Sequence, residues 1–137
     1  MGLVDSKLCT RCEEKDETIE HALWDCEEVQ KLLESFEMIL DALIIPFAFN
    51  KITFIFGLYD KSFANYKKSD NVIILIVKQY IYSTRCLGKA LSIYSLLVCI
   101  HEHYKTLKYI NDTKNDSIRL AFADDWNKWL KLFSLIE

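Results

Sequence analysis

Three cysteines and a histidine crowd the first thirty residues, as Cys9-Thr-Arg-Cys12 and then His21-Ala-Leu-Trp-Asp-Cys26. Their spacing, C-x2-C-x8-H-x4-C, constrains the fold more than any other feature of the chain. A Cys-x2-Cys turn puts two sulfurs on one side of a tight knuckle, and a His and a Cys from the next segment can close a tetrahedron around one ion. Zinc sites of this type have metal–sulfur distances of about 2.3 Å and metal–nitrogen distances of about 2.1 Å. Three cysteines and one histidine leave no open coordination position, so Cys9, Cys12, His21 and Cys26 read as ligands of one structural Zn2+. A lone Cys-x2-Cys also occurs in redox pairs. The added His and third Cys at compact spacing favour zinc over ordinary buried thiols. Cys86 and Cys99 lie in apolar stretches and are expected to be free core thiols. Five cysteines is an odd count, and without a signal peptide the expectation is an intracellular protein, cytoplasmic or nuclear, and not a disulfide framework.

The rest of the chain reads as helix. Three glycines and one proline are too few for the turns of a β-sandwich or barrel. Apolar residues recur at Ile19, Leu23, Cys26, Val29, Leu33, Phe36, Leu40 and Leu43 with gaps of three and four, a core-facing helical stripe. His21 and Cys26 are five apart, about 140° around an ideal α-helix, so a straight rod cannot aim both at one ion. The spacing therefore predicts a short helix carrying His21, a kink near Asp25, and a longer helix to about Leu43 that Pro46 stops. Residues 46–69 read as an irregular connection, in which Ile52–Phe56 is a short strand or an apolar turn and Gly57 ends it. A second long helix is expected from about Asp70 to Lys89, capped by Ser69 or Asp70, with a buried strand over Val72–Val77 as the competing reading. A third follows from about Leu91 to Ile110. A last helix, capped by Asp116 or Ser117, puts Ile118, Phe122, Trp126, Trp129 and Phe133 on one face. His101 and His103 read as surface residues. The fold expected is all-α, an N-terminal CCHC zinc knuckle packed on a four- to five-helix bundle. Residues 1–45 carry the knuckle and its helix, and residues 46–137 form a bundle continuous with them.

Charge is divided unevenly. Residues 1–45 hold twelve acids and four bases, and residues 46–137 hold eight acids and thirteen bases. The knuckle is thus the acidic end, poorly suited to gripping phosphates itself. Lys78, Tyr82, Arg85 and Lys89 fall at i, i+4, i+7 and i+11, one stripe of the second long helix. The plain reading is the solvated face of an amphipathic helix. The functional reading is a nucleic-acid surface, with cations for phosphates and a tyrosine that stacks on a base. The longest unbroken aliphatic run, Val72–Val77, is far short of the roughly 20 residues that a membrane span needs. No serine–histidine, cysteine–histidine or paired-carboxylate arrangement stands out as catalytic.

The stretch Gly2-Leu-Val-Asp-Ser-Lys-Leu-Cys9-Thr-Arg-Cys12, followed by Glu17-Thr-Ile-Glu-His21-Ala-Leu-Trp-Asp-Cys26, resembles the zinc-binding region at the C-terminal end of non-LTR (LINE-type) retrotransposon reverse transcriptases. That family shows a Cys-x-x-Cys, an acidic linker, a Glu-Thr-Ile-Glu-His-Leu-Phe-Trp-x-Cys segment and then a helix. This chain departs from it at Ala22, Leu23 and Glu27, none of which is a ligand. A weaker likeness continues through Ile52–Gly57, Lys78–Tyr82 and Lys128-Trp129. The resemblance implies a non-enzymatic accessory module or relic of a reverse transcriptase, with polymerase and endonuclease parts upstream. It also implies RNA or DNA as the partner. The other readings are a structural module whose acidic zinc end docks on a protein, and an inactive retroelement remnant. The Met1–Ser6 match to the N-myristoylation pattern lies inside the resembling stretch, which favours an internal methionine. Phe122-Ala-Asp-Asp125 spells the polymerase signature of the same family, but in a helical setting and after the zinc ligands. It reads as coincidence, with Asp124 and Asp125 facing solvent.

Overall fold

Six α-helices form among the described residues, which are 8–47, 49–57 and 68–136 of a computed structural model. They are α1 (Glu27–Ala42), α2 (Lys51–Phe56), α3 (Lys68–Cys86), α4 (Ile93–Asp112), α5 (Asp116–Trp126) and α6 (Leu130–Phe133). A π-helical turn, His21–Asp25, precedes α1, and a 3-10 turn, Asn127–Trp129, joins α5 to α6. No strand forms among the described residues; one isolated antiparallel bridge links Leu8 to Asp16. The fold is all-α with the Cys/His knuckle against the bundle, as the composition predicts. The α3–α4 pair is its spine: α3 also packs on α5 and the π turn, and α4 on α1 and α6. The Met1–Ser6 motif lies outside the described residues, as does most of the polar stretch Lys61–Ser69.

Helix α1 opens with Glu27 and Glu28, whose charges suit the positive end of a helix dipole. It buries Val29, Leu32, Leu33, Phe36 and Leu40 along one stripe. Ile19, expected on the same stripe, is instead 74% exposed, because the kink before α1 turns it outward. Pro46 does not stop α1. The helix ends at Ala42 in a Schellman turn: Ile45 N–H donates to Leu40 O at 2.9 Å and Ile44 N–H to Asp41 O at 3.1 Å. Ile44 takes the left-handed position of that turn, with φ of 56°, where a β-branched residue is strained.

Ile52–Phe56 is neither strand nor turn. Asn50 Oδ1 accepts from Thr53 N–H at 3.0 Å and Thr53 Oγ1 from Asn50 N–H at 2.8 Å, a reciprocal capping box that starts α2. Phe54 is buried below it and stacks with Phe49 and Trp24.

Helix α3 absorbs the β-branched run Val72–Val77, which settles the strand alternative in favour of helix. It starts before the expected caps: Ser69 and Asp70 lie inside it, both buried. Its cap comes from another helix. The carboxylate of Asp125 accepts from Ser69 N–H at 3.1 and 3.2 Å, and Ser69 Oγ donates to Asp125 O at 2.9 Å. Asp125 is therefore half-buried structural capping and not a solvent-facing residue, whereas Asp124 is exposed. One turn further on, Lys128 Nζ reaches Asp70 Oδ1 at 2.7 Å and Pro46 O at 2.9 Å, and lies over the rings of Phe47 and Trp129.

Ser92 caps α4, and its backbone exchanges two hydrogen bonds with Tyr80 Oη, which tie the start of α4 to α3. The last helical segment is not one straight rod, and its cap is Asn115. The 3-10 turn has three residues per turn, which keeps Trp126 and Trp129 on the same buried side. Ile118, expected on that face, is 41% exposed. His101 and His103 are half-buried at the surface; His101 lies against Phe133, and His103 Nδ1 is 2.9 Å from Cys99 O. Of the two thiols expected in the core, Cys99 is half-buried and Cys86 is exposed at the end of α3.

Lys128→Met keeps the aliphatic stem but removes the ammonium from buried Asp70, and is expected to cost about 3 kcal/mol in urea denaturation. Ile44→Gly removes the left-handed strain at an exposed position. It should stabilise the protein by about 1 kcal/mol, read as a higher melting temperature.

Candidate metal centre

Residues 8–16 fold back on themselves with little apolar help. Cys9 N–H donates to Lys15 O at 2.8 Å and Glu13 N–H to Cys9 O at 2.9 Å, and Glu13 takes a positive φ of 58° to close the loop. This brings Cys9 and Cys12 to the same side. Thr18 then starts the second half: its Oγ1 accepts from His21 N–H at 3.0 Å and its carbonyl from Ala22 N–H at 2.8 Å.

The π turn removes the helical-wheel conflict between His21 and Cys26. Cys26 N–H donates to His21 O at 2.9 Å, an i→i+5 bond that widens the turn and swings the fifth residue back over the first. Cys26 itself is extended, with φ −60° and ψ 132°, and stands as the N-cap of α1. The kink expected near Asp25 is thus present, with π geometry before it.

One ligand atom from each of Cys9, Cys12, His21 and Cys26 falls within 4.8 Å of all the others. A tetrahedron with metal–sulfur distances of about 2.3 Å has sulfur–sulfur edges of about 3.8 Å. Cys9 Sγ and Cys26 Sγ are 3.8 Å apart, and Cys12 Sγ is 3.3 Å from His21 Nε2. The donor set and its dimensions therefore fit a four-coordinate ion, and these residues form a candidate metal-binding site with Nε2 as the imidazole donor. Cys9, His21 and Cys26 are buried, and Cys12 is half-buried.

The surroundings differ from one sulfur to the next. Backbone N–H groups of Glu14 and then Lys15 draw the Cys12 thiol down to about 7, which favours the thiolate. Burial pushes the Cys26 thiol up to about 11, against the N–H groups of Glu28 and Val29 at the start of α1. A divalent ion held here would supply the charge that overcomes this second cost. Three thiolates around such an ion leave one net negative charge, and Arg11 stands beside it. Burial lowers the Arg11 pKa, while Cys26 and Cys9 pull it the other way. Arg11 Nη2 donates to Ile81 O and to Thr84 Oγ1, both at 2.7 Å, whereas Nε and Nη1 are buried and have no hydrogen-bond partner among the described residues. Thiolates accept hydrogen bonds better than thiols, so a loaded centre gives these N–H groups a negative wall to face. Arg11 thus joins the knuckle to α3, and an ion pair of Glu17 with Arg85 makes a second joint.

The expected cationic stripe divides. Tyr82 is 60% exposed. Lys78 Nζ donates to Ile55 O at 2.9 Å, and burial lowers its pKa. Arg85 is held by Glu17 through Nε and Nη2. Lys89 lies past the end of α3, in a Schellman turn where Gly88 has φ of 66° and Lys89 N–H donates to Thr84 O at 2.8 Å. Of the three cations, only Lys89 is exposed. Periodicity alone did not single out Arg11, Glu17 or Thr84. Arg11 carried one signal, its place between two ligands; the Glu17–Arg85 pair is legible only once α3 is docked.

No family model matches the chain, nor does any curated protein or solved structure. Among the described residues no helix is long and apolar enough to cross a membrane. Arg11→Met is expected to weaken metal affinity about tenfold, measured by competition with a chromogenic chelator.

Proposed function

We propose that the knuckle holds one structural Zn2+ and that the chain is the nucleic-acid-binding tail module of a non-LTR retrotransposon reverse transcriptase. Such a module carries no catalytic step. It holds single-stranded RNA or DNA beside a polymerase, inside the cell, in the cytoplasm or nucleus. The observation that supports this reading most is the convergence of Cys9, Cys12, His21 and Cys26 within 4.8 Å, since these four residues carry the family's motif. Three thiolates and one imidazole in a closed tetrahedral set suit zinc among the common divalent ions. The metal fixes the knuckle, and contact with nucleic acid falls to the basic middle of the chain, which has nine bases against three acids over residues 51–108.

Filter binding of single-stranded RNA and DNA over a salt series tests the contact. The logarithm of the binding constant should fall linearly with the logarithm of salt concentration, as phosphate contacts release counterions. Affinity that ignores salt, or no affinity, would refute nucleic-acid binding. One observation favours a second reading, in which the acidic metal end docks on a protein. Ile19 is 74% exposed beside the exposed acids Asp16 and Glu20.

A further inference from the structure

Two cavities meet at Arg85. One, of about 400 Å3, is an apolar groove between the π turn and α3, lined by Ile19, Ala22, Leu23 and Tyr82, with Thr18 and the Glu17–Arg85 pair at its edge. The other, of about 530 Å3, is half polar and is lined by Arg11, Glu28, Thr84, Arg85 and Lys89 with Ala90 and Leu91. The Schellman turn after α3 folds the Lys89 backbone back on Thr84, and Lys89 lines this cavity together with the two arginines. Arg11, Arg85 and Lys89 line the second cavity with one carboxylate, Glu28, which is paired with Lys31 at 3.3 Å; with Arg11 bonded to α3 and Arg85 to Glu17, Lys89 is the cation that the cavity offers a phosphate first. In the first cavity Glu17 is neutralised by Arg85.

We infer that these adjoining cavities form a site for one unstacked nucleotide of a single strand, with its base in the apolar groove against Tyr82 and its phosphate in the pocket of Arg85 and Lys89. This assignment rests on the nucleic-acid reading given above and names the part of the surface that carries it. Tyr82, 60% exposed at the groove, offers an aromatic face of the kind on which single-stranded bases stack. Ile19 and Leu23 supply the opposite apolar wall. Thr18 and the Glu17–Arg85 pair place hydroxyl, carboxylate and guanidinium groups where the polar edge of a base would end. At the end of α3, Thr84 O and Arg85 O accept from Lys89 and Gly88 N–H, so these two carbonyls are not bare toward a phosphate. Arg85 uses Nε and Nη2 on Glu17, and Nη1 is the guanidinium nitrogen not engaged there.

The test is fluorescence anisotropy of labelled oligo-uridylate, its DNA counterpart and an abasic strand of equal length, with the metal-loaded full chain and two variants. Tyr82→Ala should weaken binding of base-bearing strands about tenfold and leave the salt slope unchanged, while Tyr82→Phe restores affinity. On the abasic strand, wild type and Tyr82→Ala should bind alike. Lys89→Gln should lower the salt slope by about one. Both substituted side chains are exposed, and circular dichroism confirms the fold of each variant. Salt-dependent binding by wild type that neither variant alters would overturn the site but leave the nucleic-acid reading standing. No binding by wild type would end both. Displacement of the strand by micromolar uridine monophosphate would assign the cavities to a free nucleotide and overturn the single-strand assignment.

Discussion

The buried residues of the stretch 8–26 are Cys9, His21 and Cys26, three of the four ligands. The stretch has no apolar side chain fully inside the protein; Leu23 and Trp24 only lean on the core. Its backbone is held by one isolated bridge and a few loop hydrogen bonds, two of which depend on a strained Glu13 and an extended Cys26. Conformational entropy opposes any such loop-rich segment at roughly 1–2 kcal/mol per residue. Four bonds to a single ion would supply what packing does not, the usual arrangement in small metal modules.

Helix α3 is where this end of the molecule meets the rest. Its first turn takes a cap from Asp125 and an ion pair from Lys128, both in the C-terminal segment. Its last turns take Arg11 from the knuckle loop and Arg85 back to Glu17. Its middle is buried through Ile73, Ile74, Ile76, Val77 and Ile81. A helix pinned at both ends by side chains distant in sequence communicates placement along its length. Arg11 and Glu17 of the knuckle thus contact the turns of α3 that carry Tyr82 and lead to Lys89.

The Cys/His cluster, the helical class and the break between His21 and α1 were legible in the sequence. Each depends on spacing within a single stretch: two residues between thiols, gaps of three and four between apolar residues, and the misfit of five residues on an α-helix. What periodicity could not supply was long-range pairing. Asp125 looked solvent-facing because its partner, Ser69, lies 56 positions away and was itself expected to be a cap. Arg85 and Lys78 looked like free cations because Glu17 and the Ile55 carbonyl become neighbours only after α3 docks. Ile52–Phe56 carried no periodicity to read, and its capping box at Asn50 and Thr53 was the overlooked local signal. The end of α1 misled for another reason. A β-branched residue, Ile44, sits in a left-handed position that favours glycine, and Pro46 nearby offered a simpler stop.

The central claim is that a metal ion organises residues 8–26 and, through Arg11, the end of α3. The direct measurement is amide hydrogen exchange on the purified chain, with zinc per chain quantified, before and after a strong chelator. The account predicts one zinc per chain, and its removal should expose the amides of 8–26 together with those of Ile81–Cys86, while those of α4 stay protected. A chain that carries no zinc, or that keeps full protection in both segments once the metal is gone, would contradict it.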